Sequence, residues 1–182
     1  MRLLPAAAAA ALVLGVAAPL ALTSPASAAT VVVTDATGDA GGAKRLDVTR
    51  VKVANDDRRV VVRTTFAADR SGVLVVSLDP RGDTGLRLVA RKNGSGDVSA
   101  EVVEGAFTDR EPTEAPLECD GLRLRWADDV ARLSMPSTCL HDGDYGAVRF
   151  SVLTERAGGG DSDEAPQTAQ GEIGSSVWIP RG

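Results

Sequence analysis

The sequence predicts an all-β protein: an antiparallel β-sandwich or barrel of about nine or ten strands with one disulfide. Three observations predict it. Short runs of alternating apolar and polar residues recur along the chain, each bounded by Gly, Pro, Asn or Asp. No window of a dozen residues carries the 3.6-residue apolar stripe of a helix. Strands at this spacing with no helices between them build sandwiches or barrels, not parallel sheets.

Taken in order, the chain opens on an export signal over residues 1–29, leaving 30–182 as a single domain. Arg2 gives a positive start, Ala6 to Leu22 is an apolar run, and Ala26-Ser27-Ala28 is the small-residue pattern of a signal-peptidase site. Cleavage after Ala28 or Ala29 places the mature chain outside the cytoplasm. No later segment reaches the length of a membrane span, so the mature chain is expected not to insert.

Strand runs follow at Val31–Thr34, Leu46–Val53, Val60–Phe66, Val73–Leu78 and Leu86–Arg91. Five more fall at Val98–Val103, Leu122–Trp126, Val130–Met135, Val148–Leu153 and Val177–Ile179. The second run changes phase between Leu46/Val48 and Val51/Val53, which predicts a bulge. Val73–Leu78 is apolar on both faces and reads as a central, covered strand. Residues 111–116 and 157–170 read as long polar loops, the second the more mobile.

Side-chain phase constrains three hairpins, because a one-residue slip turns the apolar face outward. An Asp56-Asp57 turn would set Val51 and Val53 against Val62 and Val60. An Asp128-Asp129 turn would set Leu122, Leu124 and Trp126 against Met135, Leu133 and Ala131, and Arg125 against Arg132. A two-residue Asn93-Gly94 turn would bring Leu86, Leu88 and Ala90 against polar residues. A three-residue loop, Asn93-Gly94-Ser95, sets them instead against Val102, Ala100 and Val98, with Arg87 opposite Glu101 and Arg91 opposite Asp97. Phase turns Phe66, Trp126, Met135 and Phe150 inward.

The two cysteines, Cys119 and Cys139, are an even count in an exported chain, and so read as a disulfide. The hairpin register places them within one residue of facing each other. A link closing about 20 residues stabilises by roughly 3 kcal/mol.

The chain has 17 Arg against 3 Lys, a bias that matches a GC-rich genome, and a net charge of −5 that becomes −6 without Arg2. That sign opposes nucleic acid or an anionic membrane as partner. Candidate chemistry is sparse. His141 is the only histidine, and no serine sits in a nucleophile elbow. Arg81-Gly82-Asp83 spells an adhesion tripeptide that an Arg- and Asp-rich chain produces by chance. Asp35, Asp39 and Asp47 flank a Gly-rich loop at the mature N-terminus and offer the oxygen ligands that Ca²⁺ takes. Turn aspartates explain the same letters. Trp178 is the aromatic candidate for an exposed ligand platform.

The run Asp35–Asp39 with Leu46-Asp47-Val48, then Val51-x-Val53-x-Asn55, Val60–Phe66 and Val75-x-Ser77-Leu78-Asp79, resembles exported actinobacterial proteins of unknown function. Their opening strands are similar to the sugar- and haem-binding sandwiches called DOMON or family 9 carbohydrate-binding-like domains. The likeness spans about the first third of the mature chain. It implies a jelly-roll-like sandwich with a binding role. The sugar-platform tryptophans and haem ligands of those families have no clear matches here, so neither ligand is carried over. The expected function is an exported, noncatalytic binding or cell-envelope module, with a glycan or protein as its extracellular partner. A hydrolase built on a carboxylate pair, as in glycosidases, and a purely structural or interaction role are the alternatives.

Overall fold

The structure, a computed structural model, describes residues 28–40, 46–110, 115–156, 158 and 160–182. The expected export signal, residues 1–27 of it, lies outside the described residues, as do 41–45 and 111–114 within the expected loops. The described residues form eleven strands. These are β1 (Ala29–Thr34), β2 (Val48–Asn55), β3 (Arg59–Phe66), β4 (Gly72–Pro80), β5 (Leu86–Lys92), β6 (Val98–Glu104) and β7 (Pro116–Leu117). They continue with β8 (Arg123–Ala127), β9 (Val130–Pro136), β10 (Val148–Glu155) and β11 (Asp161–Ala165). The only helical pieces described are two single 3₁₀ turns between β9 and β10.

The strands make two antiparallel sheets, ordered β1-β2-β3-β9-β8 and β11-β10-β4-β5-β6-β7. Alternation decides what lies between them. Val51, Val53, Val60 and Val62 from the first sheet pack with Leu74, Val76, Leu88 and Phe150 from the second in one core. Phe66 stacks on Trp126 with ring centroids 5.3 Å apart, which adds about 1 kcal/mol to the area they bury. Met135 is fully buried, as its phase requires. β4 is paired on both sides, by β10 and β5, and its residues are buried on both faces almost throughout. The bulge falls in β2, where Thr49 is the extra residue between Val48, opposite Phe66, and Arg50, opposite Thr65.

The hairpins test the phase reasoning closely. At β8–β9 the expected register holds, with Leu124 opposite Leu133, Trp126 opposite Ala131 and Arg125 opposite Arg132. The other two keep the expected faces but slide by two residues. In β2–β3, Val53 faces Val62, Asn55 faces Val60 and Val51 faces Thr64. The turn is Asp57-Arg58, because Asp56 Oδ1 accepts the N–H groups of both Arg58 and Arg59 at 2.8 Å. In β5–β6, Leu88 faces Val102, Ala90 faces Ala100 and Leu86 faces Glu104. Arg91 lies opposite Ser99 and Arg87 opposite Val103, so neither expected charge pair stands directly across. Arg91 instead reaches Glu101 diagonally at 2.6 Å. The three-residue loop is Gly94-Ser95-Gly96. Asn93 Oδ1 accepts from Ser95 and Asp97, and Gly96 takes a φ of +89° that side chains disfavour.

Two further expectations change. Residues 161–165, expected in a mobile loop, form β11, which pairs with β10 from Val152–Ala165 to Glu155–Asp161. The Val177–Ile179 run is not a strand. It makes one bridge, Ile179 with Val148, and only Ile179 is buried, while Val177 is 69% exposed. Cys119 and Cys139 are bonded, with Cα atoms 5.3 Å apart. The link ties the segment entering β8 to the turn leaving β9. Among the described residues no helix is long and apolar enough to cross a membrane.

Candidate metal centre

β1 and β11 are the edge strands of their respective sheets, and a group of carboxylates gathers where those edges meet. Asp35 follows β1, and its N–H donates to the carbonyl of Thr49 at 3.0 Å. Asp39 stands on the exposed loop after it. Asp163 comes from β11, which β10 holds by pairing Thr154 with Asp163. The Thr154 hydroxyl also donates to the carbonyl of Leu46 at 2.9 Å, fastening the segment before β2 to the same seam. One carboxylate oxygen each from Asp35, Asp39 and Asp163 lies within 4.8 Å of the other two.

Asp163 is 5% exposed. Its Oδ2 accepts the Val48 N–H at 2.6 Å and its Oδ1 the Glu164 N–H at 2.9 Å. Those bonds favour the carboxylate, but burial outweighs them and, with Asp35 and Asp39 adding repulsion, pushes the carboxyl up to about 6. Burial likewise raises Asp35, opposed by a hydrogen bond from Ala36 and reinforced by the negative charges of Asp39 and Asp47. Asp35 Oδ2 and Asp47 Oδ1 are both buried with no hydrogen-bond donor among the described residues. Buried carboxylate oxygens without donors are costly to leave unmet.

Of the three aspartates singled out in the sequence, the structure brings Asp35 and Asp39 together and supplies Asp163 as the third. Asp47 does not contribute an oxygen to the converging set. Its Oδ2 accepts the Gly38 N–H at 2.7 Å and so shapes the loop that carries Asp39. Asp163 escaped the sequence reading because it lies more than a hundred residues downstream, in a polar stretch with no apolar alternation. A donor set made of carboxylate oxygens suits a hard cation such as Ca²⁺, and its lack of imidazole or thiolate argues against zinc.

Trp178 sits elsewhere, in a cleft with Asp79, Asp83, Asp109 and Arg149. It is half-buried, and the guanidinium carbons of Arg81 and Arg149 lie 4.8 and 5.0 Å from its ring centroid. The ring is thus already engaged by cations. The carboxylates of this cleft have structural partners. Asp79 pairs with Arg149 at 2.5 Å, Asp109 accepts from Gly85 and Ala106, and Asp83 accepts from Thr84. The Asp109 contacts hold Gly85 where a Cβ would lie 2.4 Å from that of Ala106. His141 Nε2 donates to the carbonyl of Thr84 at 2.7 Å, and its Nδ1 lies 3.5 Å from Asp83. Among the described residues no serine hydroxyl bonds to it, so no nucleophile–base pair forms there.

Comparison of the chain with protein-family models, with curated proteins and with solved structures finds no match in any of the three.

Proposed function

We propose that this protein is an exported, noncatalytic β-sandwich that binds Ca²⁺ at Asp35, Asp39 and Asp163, and uses it to lock the seam between its two sheets. The observation that carries the reading is the convergence of those three carboxylates within 4.8 Å beside buried oxygens that lack donors. A divalent cation would remove the mutual repulsion and give the Asp35 carboxylate, one of whose oxygens is unpartnered, a positive charge to meet. Ca²⁺ takes six to eight oxygens in flexible geometry, which leaves room for backbone carbonyls and water beside the carboxylates. The consequence is mechanical: β1, the loop after it and β11 become one rigid edge, and the rest of the sandwich can present a binding surface in the extracytoplasmic calcium range.

Thermal unfolding and calorimetric titration of the mature protein, with calcium and with chelator, test this. At calcium 100 times above its dissociation constant the gain is about 2.7 kcal/mol. Asp39→Ala removes a ligand from an exposed loop and should abolish the gain while leaving the chelated protein folded. Equal melting temperatures with calcium and chelator would refute the site.

A further inference from the structure

The outer face of the first sheet carries a row of like charges. Lys52 pairs in register with Arg63, Arg63 with Arg132, and Arg132 with Arg125. Four cationic residues therefore stand in register across β2, β3, β9 and β8, on neighbouring strands whose backbones run about 4.8 Å apart. All four are exposed, and Arg50 and Arg123 extend the row along the two outer strands. Among the described residues none of the four is in a salt bridge. Asp128 and Asp129 in the β8–β9 turn share the hollow lined by Arg63, Arg125 and Arg132.

Like charges directly opposite destabilise a sheet, and three such pairings occur here in succession. The other sheet's outer face behaves differently, since Arg91 there meets Glu101 at 2.6 Å. Nor does overall composition account for the row, because the chain is net acidic at −5. Arg59 also lies on this face, turned onto Ser134 and the Gly121 carbonyl by hydrogen bonds. The other outward residues include Val61, Thr65, Val130 and Ala127, and among the described residues of these strands no outward aromatic offers a surface on which a sugar ring or a base could stack. A ligand here would be held through its charges alone. Arginine's planar fork fits phosphate oxygens two at a time.

The geometry points to the outer face of β2-β3-β9-β8 as a docking surface for a linear phosphodiester polymer, laid across the strands so that successive phosphates meet Lys52, Arg63, Arg132 and Arg125. The net charge of the chain opposes polyanions in sum, but the fold sorts the cations onto one face, and a local field of one sign governs binding there.

Isothermal titration with poly(glycerol phosphate) tests this, with glycerol 3-phosphate as the monomer and polygalacturonate as a carboxylate polymer. The polymer should bind saturably at low salt and weaken steeply as salt rises, while the monomer should not bind measurably. Arg132→Glu and, separately, Arg63→Glu should each weaken binding by about tenfold or more. Arg132→Glu should hold or raise the melting temperature, because the new carboxylate lies between two guanidiniums. Arg91→Glu, the same charge change on the opposite sheet, should leave the affinity unchanged. Equal weakening by Arg91→Glu would reduce the effect to net charge and overturn the assignment. So would absence of binding at low salt, equal affinity for polygalacturonate, or self-association of the protein blocked by Arg132→Glu.

Discussion

Replacing Asp163 by Asn is the most revealing single perturbation of the seam. The Asp163 carboxyl is raised to about 6 by burial, above the ordinary value near 3.9 that it regains on unfolding. Without calcium, the folded protein therefore binds a proton more readily than the unfolded chain. The stabilisation from that proton is full below about pH 4 and is lost as pH rises through about 6. Between about pH 4.5 and 7.5 the loss integrates to about 2 kcal/mol, or roughly 6 °C in melting temperature for a chain of this size. Asparagine cannot titrate, so the variant lacks this component. It also loses one of the two backbone bonds to Val48 and Glu164, a pH-independent cost of about 1–2 kcal/mol. Urea unfolding of both proteins in chelator, at several pH values across that window, measures the difference directly. The stability of wild type relative to Asp163→Asn should fall by about 2 kcal/mol from the acidic to the neutral end. Saturating calcium should hold the carboxylate ionised and abolish that fall in the wild type. A difference that stays flat with pH in chelator would refute the argument that burial and neighbouring charges strain this carboxylate.

The core and the disulfide make independent predictions. Thr64 is fully buried on the inner face opposite Val51, and its hydroxyl has no partner among the described residues. Thr64→Val should raise stability by about 1 kcal/mol in chemical denaturation, since it removes an unmet hydroxyl at nearly constant shape. Trp126 Nε1 is likewise buried without an acceptor among the described residues, so Trp126→Phe should cost under about 1 kcal/mol while Trp126→Ala costs about 3–5. Replacing both Cys119 and Cys139 by Ser should lower stability by about 3 kcal/mol, read as a fall of roughly 10 °C in melting temperature.

Strand identity was legible in the sequence because the two-residue period is a local property. Val60–Phe66 or Leu122–Trp126 announces its buried face without reference to any partner. The same period left register open by two residues, since such a slide keeps every side chain on its face. Only side-chain contacts to the turn backbone decided it: Asp56 with Arg58 and Arg59, and Asn93 with Ser95 and Asp97. At β8–β9, where the expected turn was the one formed, the Arg125–Arg132 pair could be read in advance. Lys52 and Arg63 joined that pair only when β3 was seen beside β9, a long-range adjacency that no local pattern encodes. The carboxylate site divides the same way. Asp35 and Asp39 are near neighbours along the chain and could be grouped by sight. Asp163 required the pairing of β11 on β10, which brings the edge of one sheet against the edge of the other. Composition and alternation thus determined what kind of protein this is and which residues it buries. Which distant charges meet on its seam and across its outer face was decided by the stacking of strands, because charge proximity across strands depends on pairing order and register, and neither leaves a periodic trace in the chain.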